Sequence, residues 1–176
     1  MKHLFLFTIG PVQSFIAQAR KTQDLYAGSR ILSELCKTGI RKAQSYQAEI
    51  IFPYIDADFN NTKSLPNRFL AIVPKHETMS FAKIGEAIEK AVREKWEFDA
   101  DNILAKLLSE GKIKDISTIK NDFDAQIADH LEIYWIFEPI TDNYSIAYER
   151  TEKLLGSVKN VRYFNQQIEQ GRKCNL

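Results

Sequence analysis

The chain has 176 residues, 44% hydrophobic and 27% charged, which excludes an intrinsically disordered chain and fits one domain with at most a helical extension. Lys and Arg number 24 against 23 Asp and Glu, for a net charge of +1. That balance excludes a whole-chain basic field for nucleic acid and leaves only a local patch. There is no run of about 18 apolar residues, so no membrane partner is expected. The apolar run after Met1-Lys2-His3 is too short for a signal peptide and has no cleavage site. A cytoplasmic location is the expectation, and Cys36 and Cys174 cannot build a disulfide framework.

In chain order, His3 to Ile9 reads as a strand, apolar on both faces and therefore central in its sheet. Gly10-Pro11 stops it, and Pro11 suits the first turn of a helix carrying Val12, Phe15, Ile16 and Ala19. Gly28-Ser29 reads as a break and restart, with Ser29 as the N-cap of a helix running to about Tyr46. Glu49 to Ile55 is a second strand, pushed to an edge by Pro53. A polar loop from Asp56 to Pro66 precedes a third strand, Arg68 to Val73. Ser80 to Trp96 is a helix, residues 97–130 read as further helices, and Leu131 to Phe137 is a fourth strand. Tyr144 to Phe164 is a last helix, followed by a polar tail.

With the helical insert set aside, the order is βαββαβ. The expected fold class is α+β, a ferredoxin-like antiparallel sheet with helices on one face. Residues 1–142 form this domain, with the insert at about 97–130. Residues 143–176 are the C-terminal helix and tail.

Familiar enzyme signatures are absent. His3, His76 and His130 are scattered, and none has a partner at metal-ligand spacing. Asp129-His130 reverses the His-Asp order of metal phosphohydrolases. The phosphate loop, the dinucleotide fingerprint and the nucleophile elbow do not occur.

Three stretches carry candidate chemistry. In Gly10-Pro11-Val12-Gln13-Ser14, the glycine admits a close ligand and the helix start offers free N–H groups for phosphate. The plain alternative is an ordinary tight turn. At Gly28-Ser29, the expected helix break would bring a hydroxyl and a backbone N–H beside the first loop, with Arg20 and Lys21 supplying charge. A kinked helix with a capping serine explains the same residues. In Pro66-Asn67-Arg68-Phe69, Arg68 suits a phosphate or a carboxylate, and Asn67 a turn. Asp56, Asp58, Asn60 and Asn61 only loosely suggest a cation loop, without the glycine and closing glutamate of a calcium hand. Cys36 on an apolar helix face reads as a small buried hydrophobe. Cys174 is either incidental or one ligand of a zinc site.

Several of these runs together resemble one family. They are Ile9-Gly10-Pro11-Val12-Gln13-Ser14-Phe15-Ile16, Ala19-Arg20, Asp24-Leu25-Tyr26-Ala27-Gly28-Ser29, Leu32-Ser33-Glu34-Leu35 and Leu65-Pro66-Asn67-Arg68-Phe69-Leu70. Arg162-Tyr163-Phe164 and Gly171-Arg172-Lys173-Cys174 complete the set. The family is the large subunit of type III-B (Cmr) CRISPR effector complexes. Such subunits carry two polymerase/cyclase-like palm domains with a zinc module between them, and many begin with a His-Asp nuclease domain.

The resemblance implies that this chain is the first palm, without that nuclease domain and without the Gly-Gly-Asp-Asp motif of the second palm. It would end at the first zinc cysteine, Cys174. It implies no catalysis by the chain alone. The chain would scaffold the complex and lend one wall to an ATP site, where the second palm makes cyclic oligoadenylates. Gly10, Pro11, Val12, Gln13, Ser14, Gly28 and Ser29 are carried over as nucleotide-facing positions. Implied partners are other Cmr subunits and, through them, CRISPR RNA and target RNA. The alternatives are a stand-alone ferredoxin-like module binding nucleotide or RNA on its sheet, and a free-standing cyclase remnant. The alternation of Phe5, Phe7, Phe69, Trp135 and Phe137 places those rings in the core instead of on an RNA surface.

Overall fold

Strand β1, Lys2–Gly10, runs through the middle of the domain with Leu4 to Ile9 buried. The structure, a computed structural model, describes residues 2–17, 19–55, 64–117, 119–141 and 143–161, apart from the side chains of Ser14 and Phe15. β1 is flanked by β3 (Arg68–Pro74) and β4 (Glu132–Pro139), and β2 (Glu49–Phe52) lies outside β3. Every pairing is antiparallel, and the order is β2-β3-β1-β4. This α+β arrangement is compatible with the expected ferredoxin-like fold. β2 is an edge strand that stops just before Pro53, as a residue without an N–H requires.

Alternation along β1 divides the core. Phe5, Phe7 and Ile9 join Phe69, Ala71, Val73 and Ile133 against two helices. These are α2 (Thr22–Gln44), through Leu35, Cys36 and Ile40, and α3 (Phe81–Ser109), through Ile84, Ile88 and Val92. The rings of Phe5 and Phe137 stack at 4.3 Å, and those of Phe7 and Phe69 at 5.1 Å. Each fully buried Phe adds roughly 1.5–3 kcal/mol by leaving water, so this layer dominates the packing.

Helices do not keep to one face as expected. α5 (Tyr144–Asn160) crosses the opposite face and packs Leu155 on Leu4, Leu6 and Leu70. Those leucines on the second face of the sheet require an apolar cover. The helix starts at Asn143, whose side-chain oxygen accepts the Ser145 N–H at 2.8 Å.

The helix boundaries also depart from expectation. A short α1, Val12–Ala17, ends well before Gly28, and α2 passes through Gly28 and Ser29 without a break. The restart lies seven residues earlier, after Lys21. There the Asp24 carboxylate accepts the backbone N–H groups of Arg20 at 3.1 Å and Lys21 at 3.0 Å. Ser29 is therefore not an N-cap. It is an exposed residue in the second turn of a continuous helix.

Residues 97–109 extend α3 and do not open a separate helix. α3 closes where Gly111 takes φ +68, with Gly111 N–H on the Leu108 carbonyl and Lys112 N–H on that of Leu107. α4 (Lys120–His130) is fastened to α3 by the Trp96 indole N–H, 2.9 Å from the Ile127 carbonyl.

Candidate functional site

The sequence runs singled out above meet at one end of the sheet. Ile9 N–H donates to the Asn67 carbonyl at 2.8 Å, and the Asn67 side-chain amide donates to the Ile9 carbonyl at 2.7 Å. Asn67 thus closes the last rung between β1 and the entry of β3, more than a turn cap would do. Leu65 N–H donates to the buried Ser33 hydroxyl at 2.7 Å, pinning the 64–67 segment to α2. Together these bonds hold two concavities on either side of the Gly10–Val12 corner.

The first has a volume of about 550 Å³, within the range of small-molecule sites. Gly10, Pro11, Val12 and Gln13 line it, as do Thr8, Asn67, Glu132, Tyr134, Lys159 and Asn160. Strand pairing sets one wall, since Thr8 faces Tyr134 and Gly10 faces Glu132. Lys159 Nζ lies 5.9 Å from the Tyr134 ring centroid.

A Cβ on Gly10 would sit 3.7 Å from Glu132, an ordinary contact. Packing therefore does not demand glycine there, and the space beside it stays open to a ligand. Among the described residues lining this pocket, Lys159 is the one cation and Glu132 the one carboxylate. The C-terminal carbonyls of α5 also point toward this end. Asn67, Gln13 and Asn160 add amide donors and acceptors. Such a set suits the base and ribose of a nucleotide better than its triphosphate, which needs more positive charge than one lysine.

The second concavity, about 480 Å³, is lined by Val12, Ile16, Leu25, Ser29, Leu32, Ser64, Leu65, Pro66 and Asn67. Gly28 is buried in α2 and lines neither space. The structure thus separates the two candidate stretches. Gly10 to Gln13 border the polar pocket, and Ser29 opens into the apolar one. Only Val12 and Asn67 border both. The Ser14 side chain, the Asp56-Asp58-Asn60-Asn61 loop, Arg162 to Phe164 and Cys174 lie outside the described residues.

Arg68 meets a carboxylate. Its guanidinium is 2.6 Å from Glu152 Oε1, which also accepts the Tyr148 hydroxyl at 2.8 Å. The Glu152 bond raises the Tyr148 pKa above the usual phenol value. This joins β3 to α5. Cys36 is fully buried, and burial pushes its thiol up to about 12. Among the described residues, no three His, Cys, Asp or Glu side chains gather as a metal site, and no helix is long and apolar enough to cross a membrane.

Phe5, Phe7 and Phe69 are fully buried, and Trp135 and Phe137 pack against the same core, so these five rings do not form the exposed platform of a sheet-face RNA binder. Sequence reasoning missed Thr8, Glu132, Tyr134, Lys159 and Asn160. The first three follow from antiparallel pairing of the outer strand with β1, once that pairing is drawn. The α5 terminus carries no local signal.

The fold and site define an α+β domain with a polar pocket where its central strand meets a glycine-proline corner. The family is specific. A profile described as CRISPR-associated protein Cmr2, N-terminal, matches residues 4–100, more than half of the 176, and the chain belongs to that family. The matched span covers β1 through most of α3 and includes Gly10 to Gln13, Ser29 and Asn67. No curated protein matches the chain.

Proposed function

We propose that this chain acts as a non-catalytic palm domain in the large subunit of a type III-B effector complex. It scaffolds the assembly and supplies one wall of an ATP site used for cyclic oligoadenylate synthesis by a second palm. The observation that carries this reading is the convergence of Gly10 to Gln13 with Asn67, Glu132 and Lys159 around one polar pocket, in a chain of the Cmr2 family.

The pocket's amides and single carboxylate would face the base and ribose. Lys159 would reach a phosphate oxygen. The carboxylates that hold divalent metals in nucleotidyl transfer would come from the second palm.

The test is photolabelling with 8-azido-ATP in the assembled complex, followed by peptide mapping. Label in the peptides carrying Gly10 to Gln13 or Lys159 supports the wall. Gly10→Ala, which the fold accommodates, should reduce that label while leaving the melting curve unchanged. Label confined to other domains rejects it.

A further inference from the structure

The apolar concavity on the α1–α2 side is not absorbed by the nucleotide reading. Val12, Ile16, Leu25, Leu32, Leu65 and Pro66 give it an aliphatic lining. At its rim Ile16 is 56% exposed and Leu25 42%, while Tyr26 beside them is 67% exposed. The groove is preformed, because the Leu65–Ser33 and Asn67–Ile9 hydrogen bonds fix its far wall.

Among the described residues of its α1–α2 wall, the charge is one-sided. From Gln13 to Ser33 the chain carries Arg20, Lys21 and Arg30 against Asp24 alone. The Asp24 carboxylate is engaged by two backbone N–H groups at the start of α2. Lys21 is the exposed N-cap of α2, four residues before Leu25, and Arg30 is exposed next to Ser29 of the lining. Tyr26 and Arg30, four residues apart, are neighbours on the exposed surface of α2. An aliphatic slot beside an excess of cations is complementary to an apolar anchor flanked by carboxylates. Single-stranded RNA fits less well, since stacking of successive bases needs several aromatic platforms, and among the described residues Tyr26 beside the rim is the one aromatic ring.

We infer that this groove docks a segment of a neighbouring Cmr subunit, with an aliphatic or aromatic anchor in the slot and Asp or Glu beside Lys21 and Arg30. The inference rests on membership of the multi-subunit assembly and is independent of the ATP wall.

The experiment titrates each purified Cmr subunit against the fluorophore-labelled full chain and reads anisotropy. One subunit should bind. Leu25→Glu should weaken that Kd by roughly tenfold or more, the loss of one anchor contact. Lys21→Glu and Arg30→Glu should each weaken it several-fold. Raising salt from about 0.05 to about 0.3 M should cost the unmodified chain more affinity than the Arg30→Glu chain. Ile103→Glu, also at an exposed position but on α3, should bind normally. These side chains are exposed, so all the variants should keep the unmodified melting curve.

Normal binding by Leu25→Glu and Lys21→Glu overturns the inference and leaves the scaffold reading intact. Loss of affinity only for a mixed-sequence single-stranded RNA also overturns it. Failure of every subunit to bind the unmodified chain overturns both readings.

Discussion

Gly85→Ala should destabilise this domain, although the same change usually stabilises a helix. Gly85 is buried in α3, where a Cβ would lie 2.6 Å from Trp135 Cε3 and Cζ3 and 2.8 Å from Cδ2. Carbon atoms prefer about 3.5 Å or more. The indole has little freedom to retreat. Its N–H is held by Glu89 Oε2 at 2.9 Å, and Glu89 is in turn paired with Arg93 at 2.8 Å. Overpacking of this kind costs about 1–3 kcal/mol. Removing a helical glycine returns about 0.8–1 kcal/mol. Contacts as close as 2.6 Å put the overpacking cost in the upper part of its range, about 2–3 kcal/mol, so the net expectation is a loss of roughly 1–2 kcal/mol.

Urea unfolding should show a lower midpoint at an unchanged slope. Trp135→Leu costs stability by itself, but in its presence Gly85→Ala should become neutral or favourable. The coupling would be about 1 kcal/mol or more. A Gly85→Ala protein as stable as the parent would refute the packing argument. Gly156 provides the control: it is in helix α5 with nothing within 4 Å, so Gly156→Ala should gain up to about 1 kcal/mol.

Other expectations follow from the same geometry. Gly111→Ala should cost about 1 kcal/mol, because φ +68 strains any residue with a Cβ even in open space; thermal denaturation reads it. Burial lowers the pKa of His3, whose ring lies 3.8 Å from that of Phe81, and of His130, stacked on Trp96. A lowered histidine pKa means the unfolded chain binds protons first. Stability should therefore hold above pH ~6.5 and fall as pH drops below it. Replacing both histidines with glutamine should flatten that part of the urea-midpoint profile. Cys36 should resist alkylation at pH ~8 in the native protein and react once unfolded, as peptide mass spectrometry would show.

Much of the fold was legible because β1 is apolar at every position from Leu4 to Phe7. Only a strand covered on both faces tolerates that pattern, so its central place followed. The edge position of β2 followed from Pro53. The second cover was read less well. The leucines of β1 demanded it, yet the ferredoxin-like pattern by itself puts helices on one face.

Gly28-Ser29 misled because a glycine beside a serine has the local look of a helix start. The deciding interaction was the Asp24 carboxylate reaching back to Arg20 and Lys21, which starts the helix earlier. The candidate site was half visible. Gly10 to Gln13 carry their own signal, whereas Lys159 and Asn160 arrive from the far end of a helix whose docking no local pattern encodes.

The measurement that bears most directly on the proposed role is native mass spectrometry of the chain mixed with the other Cmr subunits and CRISPR RNA. The account predicts one copy of this chain in each assembly. An assembly that forms complete without the chain, leaving it free in the mixture, would contradict the account.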